Sequence, residues 1–401
     1  MSVRRYYLDS YTHQFSSRIR EVASVEGRAA AILEETYFYP TSGGQPHDTG
    51  WLGPARVTEV VVREADGAVL HFLDTAIPAE PAPARIDWPR RFDHMQQHTG
   101  QHILSQAFER VAVAPTIGFH LGADRVSIDL ACSSISDGQL AEAESLANDI
   151  VSRNTPVRAW FPDAAELGAL ALRKQPEVAG PVRVVAIGDF DRSACGGTHV
   201  AAAGEVGSIA ILRSERLKRG MRVEFLCGGR ARADYARKHA IVRELSASLS
   251  CAPAELGSSV ARLQESLQQS RRELAVHQER ALDAEAADRL HRAELREGIR
   301  IVRAAWTERP MEQLKGLALR CTEQPGVIVL LGIAGARSQL LFGRSEQLTL
   351  DLKPAFEQAL AALGGGRGGG ARLLQGAAGP ADLATLEAVL GSAEAGLRGT
   401  A

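Results

Sequence analysis

The chain has 401 residues, 45% hydrophobic and 23% charged, with a net charge of −2. That length suits two or three domains with ordinary cores, and the charge argues against a polycationic nucleic-acid binder. Five cysteines (Cys132, Cys195, Cys227, Cys251 and Cys321) are odd in number and widely spaced, and residues 1–20 hold no apolar leader. A disulfide framework is therefore not expected, and a reducing cytoplasm is.

Residues 1–90 read as β-rich, with short segments at 29–33, 55–62 and 69–73 broken by Gly, Pro and Asp. Between them the sequence from Phe38 to Gly50 suits no regular element and reads as a loop. A helix follows, with Asp93 as its cap and Met95, Ile103, Leu104, Ala107 and Phe108 on its apolar face. Strands at 116–121 and 125–130 bracket a turn. A second helix is expected at 136–154, opened by a Ser136-centred cap, and strands at 157–161, 182–187 and 207–213. Helix and strand in this alternation indicate a two-layer α/β domain over 91–230.

From 231 the pattern changes. Leu256, Val260, Leu263, Leu267, Ser270, Leu274, His277, Ala281 and Ala284 recur at spacings of four and three, a heptad seam. Ser250-Cys251-Ala252-Pro253 interrupts it, so a helical hairpin is expected over 231–298. Residues 299–401 read as a small α/β unit. Its strands are at 327–332 and 339–343, and its helices at 353–363 and 380–390. The apolar run 327–336 is too short for a bilayer and reads as buried strand. Gly364–Gly370 reads either as a flexible linker or as a loop whose amides meet phosphate, but it lacks the lysine and Ser/Thr of a nucleotide-hydrolysing loop.

The chemistry is carried by spaced ligands. His98 and His102 are four residues apart on a helix, so both imidazoles share one face. Far downstream, Cys195-Gly196-Gly197-Thr198-His199 offers a thiolate and an imidazole around two glycines that permit a tight backbone turn. Together they form a Cys/His₃ set suited to one Zn²⁺. His94, one turn before His98, is expected to be exposed at the helix start. The other four cysteines read as core thiols.

Arg213 to Arg243 holds ten Lys/Arg against three Asp/Glu, the most basic stretch of the chain. Arg216, Lys218, Arg219 and Arg222 are its candidates for phosphate contact. The absence of a His-Glu-x-x-His sequence argues against a zincin-type protease, since Thr99 stands in the glutamate's place.

His98-Thr99-Gly100-Gln101-His102 and Cys195-Gly196-Gly197-Thr198-His199 resemble the two metal motifs of the alanyl-tRNA synthetase editing domain and its freestanding relatives, the AlaX trans-editing proteins. Ser42-Gly43-Gly44-Gln45, followed by Asp48-Thr49-Gly50, resembles that family's glycine-rich motif. Gly364–Gly370 resembles part of the DHHA1-type C-terminal domain, departing from it after Gly370.

The resemblance implies an α+β multidomain fold. It comprises an N-terminal β-barrel (1–90), a threonyl/alanyl-synthetase-type editing domain (91–230), a helical hairpin (231–298) and a DHHA1-like α/β domain (299–401). No class II charging region precedes Met1, so the expected activity is editing: deacylation of seryl-tRNA(Ala), or glycyl-tRNA(Ala), at one zinc. Gln45, Gln101 and the amides of Gly196 and Gly197 are the candidates for positioning water and stabilising the oxyanion. Thr41, Ser42, Gly43 and Gly44 are the candidates for contacting the substrate. The C-terminal half is expected to grip the tRNA or pair two copies.

Overall fold

A computed structural model describes residues 2–174 and 180–398. The outer limits of the expected first and last domains, Met1 and Ala401, lie outside the described residues. The chain divides into two compact units, Met1–Ser248 and Leu249–Ala401. The 231–298 segment contributes one helix to each.

In the first unit seven strands form one antiparallel sheet. Their order is Gln14–Ser17, Ala82–Ile86, Gly50–Leu52, Ala55–Val62, Val69–Leu73, Arg28–Leu33 and Ile19–Val25. The first and last strands of that order are joined through Arg18 alone, so the chain itself draws the two edges together. Period-two alternation turns Leu52, Val57, Val69, Ala84 and Ile86 into the enclosed core and leaves Trp51, Arg56 and Arg85 outside.

Helix α1, Trp88–Ala112, leaves this sheet directly. Its start is earlier than expected: Asp87 occupies the N-cap position and a proline sits in the first turn, where a missing N–H costs nothing. Asp93 is not the cap. It lies inside the helix and accepts two bonds from Arg230, at 2.8 and 2.6 Å. The apolar face is as read from periodicity, with Met95, Ile103, Leu104, Ala107 and Phe108 all buried.

That face packs on α2, Asp137–Ser152, and on a four-stranded antiparallel sheet ordered Thr116–Leu121, Val126–Leu130, Gly220–Cys227 and Ile209–Leu217. Ser136 caps α2 in a reciprocal box with Gln139. A three-stranded sheet, Val157–Trp160, Val184–Ile187 and Asp191–Ala194, carries the chain to the Cys195 motif. The short helix α3 is Ala164–Ala169, and α4, Gly228–Ser248, ends the unit.

The second unit opens with α5, Leu256–Arg292. The expected seam is not what it buries: Val260, Leu263, Leu267 and Leu274 are exposed, whereas Leu282 and Ala286 pack with Leu314 and Leu317 of α6, Met311–Glu323. A six-stranded sheet follows in the order Leu295–Arg296, Ile299–Trp306, Val327–Ile333, Gln339–Arg344, Leu373–Ala378 and Gly366–Gly369. Val327–Ile333 is buried throughout, as expected of it. Helices α7, Lys353–Ala362, and α8, Leu383–Arg398, complete the unit.

The glycine run is neither linker nor loop. Gly366–Gly369 is an edge strand paired to Leu373–Ala378. A Cβ on Gly368 would lie 2.5 Å from the Gln375 carbonyl and 2.9 Å from the Phe356 ring, so only glycine lets this edge lie so close. Cys227 and Cys321 are core thiols; Cys132 and Cys251 are half-buried instead. Among the described residues no helix is long and apolar enough to cross a membrane.

Candidate metal centre

His98 and His102 project from the middle of α1, both almost fully buried. Cys195 and His199 come to the same point from the turn that follows strand Asp191–Ala194. The four donor atoms all lie within 4.8 Å of one another. Cys195 Sγ is 3.4 Å from His98 Nε2 and 3.3 Å from His199 Nε2. A tetrahedral zinc with ordinary Zn–S and Zn–N bonds separates such donors by about 3.6 Å, so this set fits the ion. His98, His102, Cys195 and His199 are thus brought together as the sequence predicted.

The other nitrogen of each imidazole is engaged. His98 Nδ1 lies 2.8 Å from Gln45 Oε1, His102 Nδ1 lies 2.9 Å from Asp191 Oδ2, and His199 Nδ1 lies 3.1 Å from Thr99 Oγ1. Gln45 Oε1 and the Asp191 carboxylate only accept, so at His98 and His102 they keep the proton on Nδ1 and leave the Nε2 lone pair free for a cation, whereas the Thr99 hydroxyl can take either role at His199. Asp191 is itself held by Arg173 at 2.7 Å and by Ser193.

The glycines act through close approach rather than through free amides. A Cβ on Gly197 would stand 2.2 Å from His98 Cε1, so the Cys195 turn can lie against the imidazole only without a side chain there. The Gly197 amide, expected to meet an oxyanion, donates to Cys195 Sγ at 3.4 Å. Buried Arg183 clamps the turn, donating to the carbonyls of Cys195 and Gly197, both at 2.9 Å.

On the opposite side Ser42 and Gln45 exchange two backbone bonds around Gly43 (φ 56°) and Gly44 (φ 83°). Both positive φ values mark a type I′-like turn. Gly44 abuts the Phe119 carbonyl, where a Cβ would be 2.7 Å away. The Asp48 carboxylate then bonds Arg91 of α1, a fully buried ion pair, with Arg91 Nε at 3.0 Å from both oxygens.

The electrostatics follow from this crowding. Burial opposes ionisation of Cys195, but His98, His199 and His102 around it hold the thiol well below its usual range. Burial likewise pulls His102 down, yet the Cys195 thiolate and Asp191 carry it up to about 9. For His199 burial wins, with a value near about 3.

Several expected roles move. Gln45 is expected to position water or the oxyanion. Its buried amide is instead spent on His98, on the Thr198 amide at 3.2 Å and on Thr198 Oγ1 at 2.8 Å. Gln101, also buried, donates to Ser105 Oγ at 2.8 Å. Thr41, Ser42, Gly43 and Gly44 are exposed, and the Thr41 hydroxyl lies 3.0 Å from His47 Nδ1.

His94 is not exposed: it is 3% accessible, its Nδ1 lacks a partner, and burial with Arg90 beside it lowers its pKa to about 3. Arg216, Lys218 and Arg219 are exposed at a hairpin end, but Arg222 is held by Asp129 through bonds of 2.7 and 2.9 Å. Sequence reasoning missed Asp191, Arg173 and Arg183. No spacing rule links them to the ligands.

Residues 182–223, which span strand Val184–Ile187 and the Cys195 turn, match the Threonyl and Alanyl tRNA synthetase second additional domain family. The chain is 29% identical to alanyl-tRNA editing protein AlaX-L of Pyrococcus horikoshii over 94% of each sequence. It is 31% identical to alanyl-tRNA editing protein Aarsd1 of Mus musculus, covering 70% of this chain and 73% of that protein. Against the alanine–tRNA ligase of Pyrococcus furiosus identity is 33%, over 67% of this chain and 30% of the ligase. With one Cys/His₃ set drawn from its two motifs and these relatives across its length, the chain belongs to the alanyl-tRNA editing protein family.

Proposed function

We propose that this chain is a cytoplasmic trans-editing hydrolase that removes a wrong amino acid, serine or alternatively glycine, from tRNA(Ala). The observation that carries the reading is the convergence of His98, His102, Cys195 and His199 on one point, in a chain of the editing family. The reaction adds water to the ester carbonyl and releases the ribose hydroxyl of the tRNA. The ester is already activated, so placing the water and the carbonyl supplies much of what is needed. Zinc held by these four side chains would supply positive charge beside the charge that develops on the carbonyl oxygen.

The chain's own residues do the rest. Gln45 and Asp191 fix the tautomers of His98 and His102, Thr99 orients the His199 ring, and Arg183 and Gly197 hold the Cys195 turn against α1. The exposed Thr41–Gly44 turn lies next to Gln45 and is the candidate for meeting the aminoacyl group, a serine hydroxyl in particular. Arg216, Lys218 and Arg219 are the candidates for tRNA phosphates, while Arg222 shapes their hairpin through Asp129. The C-terminal half is proposed to grip the tRNA or to pair two copies.

One observation favours a second reading. All four donor atoms lie within 4.8 Å of one another, and four protein ligands are the complement of a structural zinc. On that reading the chain binds tRNA without hydrolysing it. Incubation of the purified protein with Ser-tRNA(Ala) and Ala-tRNA(Ala), beside a His98→Ala variant, separates the two. Selective loss of the seryl ester with wild type alone supports editing. Decay at the spontaneous rate in every sample supports the binding reading.

A further inference from the structure

On the first unit's seven-stranded sheet, four residues lie directly opposite one another across four adjacent strands: Arg56, Trp51, Arg85 and Gln14. All four are exposed, while their strand neighbours Leu52, Val57, Ala84 and Ile86 point into the core. The sheet's alternation therefore forces the row to face outward together. The Arg56 guanidinium sits 5.8 Å from the Trp51 ring centre. Among the described residues neither Arg56 nor Arg85 has a carboxylate partner, unlike Arg28, Arg63 and Arg91 of the same unit.

Two cavities meet on this row. One of 880 Å³ is lined by Gln14, Trp51 and Arg85, and one of 430 Å³ by the same three with Arg56, His13 and Trp88. His13 and Trp88 rings lie 5.0 Å apart at its far end. The two cavities share Gln14, Trp51 and Arg85, and together they form a groove in which the partly exposed indole lies between two cations without carboxylate partners, with further rings beyond.

We propose that this groove holds an unpaired, single-stranded stretch of RNA, with a base stacked on Trp51 and its flanking phosphates on Arg56 and Arg85. The two arginines are two strands apart, about 10 Å, so both phosphates around one stacked base are within reach of these long side chains. Stacking platforms among cations are the common device for single-stranded nucleic acid, because every base has a π face. An acidic peptide would satisfy the arginines but would leave the indole uncovered. Given the deacylase reading, on which this assignment rests, the occupant is the unpaired 3′ end of the tRNA. Trp88 is ten residues before His98 on α1, about 15 Å along the axis, a span of a few nucleotides from the metal centre.

The test uses the full-length protein, a single-stranded RNA of about eight nucleotides, and an acidic peptide of equal charge. Trp51→Ala should weaken RNA binding roughly tenfold, with Trp51→Phe recovering part of the loss. Arg56→Ala/Arg85→Ala should lower the salt dependence of binding by about one to two in log–log slope. In deacylation, Trp51→Ala should raise KM and leave kcat unchanged. Equal RNA binding by wild type and Trp51→Ala, or equal binding of the peptide, overturns the groove. If wild type hydrolyses no mischarged tRNA yet its RNA binding depends on Trp51, the deacylase reading falls and the groove stands. If it deacylates with a KM indifferent to Trp51, the groove falls and the deacylase reading stands.

Discussion

Gln45 Oε1 lies 2.8 Å from His98 Nδ1, so a glutamine 53 positions upstream decides which nitrogen of His98 is left for a metal. The same amide reaches Thr198 on the other ligand turn. Gln45→Ala should therefore lower metal affinity by about 10- to 100-fold, the usual effect of losing an outer partner of a ligating histidine. Thr41→Ala, four residues away and bonded to His47, should leave affinity unchanged. Competition with a chromogenic chelator measures both.

The Asp191–His102 pair should make metal uptake a proton-releasing event. Burial depresses His102, but Cys195 and Asp191 raise it to about 9, so in the metal-free protein it holds a proton at pH 7. A ligand must be deprotonated to bind, so affinity should rise as pH climbs toward about 9 and fall on acidification. Asp191→Asn removes one source of that rise, so it should reduce proton release as well as weaken binding. Calorimetric titration of the metal-free protein in buffers of different ionisation enthalpy counts the protons.

Two glycines separate effects on the site from effects on the core. At Gly197 an added Cβ meets the His98 ring at 2.2 Å; at Gly100 it meets Cys227 Sγ at 2.2 Å. Gly197→Ala should abolish metal binding with a smaller effect on stability. Gly100→Ala should destabilise by about 1–3 kcal/mol through overpacking. Denaturant melts and metal content, measured side by side, distinguish the two.

Acid should loosen the N-terminal sheet through His71. This residue is buried, with Nε2 2.8 Å from Thr36 Oγ1 and Nδ1 3.1 Å from the Ala31 carbonyl. Burial lowers its pKa from 6.5 to about 4 in spite of its backbone bonds. Below pH 6.5 the unfolded chain therefore binds the extra proton. Stability should fall as pH drops from 6.5 toward 4, by up to about 3 kcal/mol. His71→Gln should flatten that part of the stability profile.

What the sequence made legible is what local periodicity controls. The His98/His102 spacing, the apolar face of α1 and the Ser136 cap each depend on a few neighbouring residues, and all three are present. What it hid depends on distance. Asp191 and Arg183 reach the site only because the three-stranded sheet places them there, and nothing in their spacing reports it.

His94 sits one turn from His98 as expected but is buried, with Asp48 and Arg230, from distant parts of the chain, close enough to act on its charge, which spacing along α1 does not reveal. Gly364–Gly370 misled for a related reason. Glycines that read as freedom are there because Phe356 and the Gln375 carbonyl crowd an edge strand.

An anomalous-scattering map of the purified protein at the zinc absorption edge addresses the centre most directly. The account predicts a single peak at about 2.0–2.1 Å from the Nε2 atoms of His98, His102 and His199 and about 2.3 Å from Cys195 Sγ. A protein free of transition metal, or a peak away from these four side chains, would contradict it.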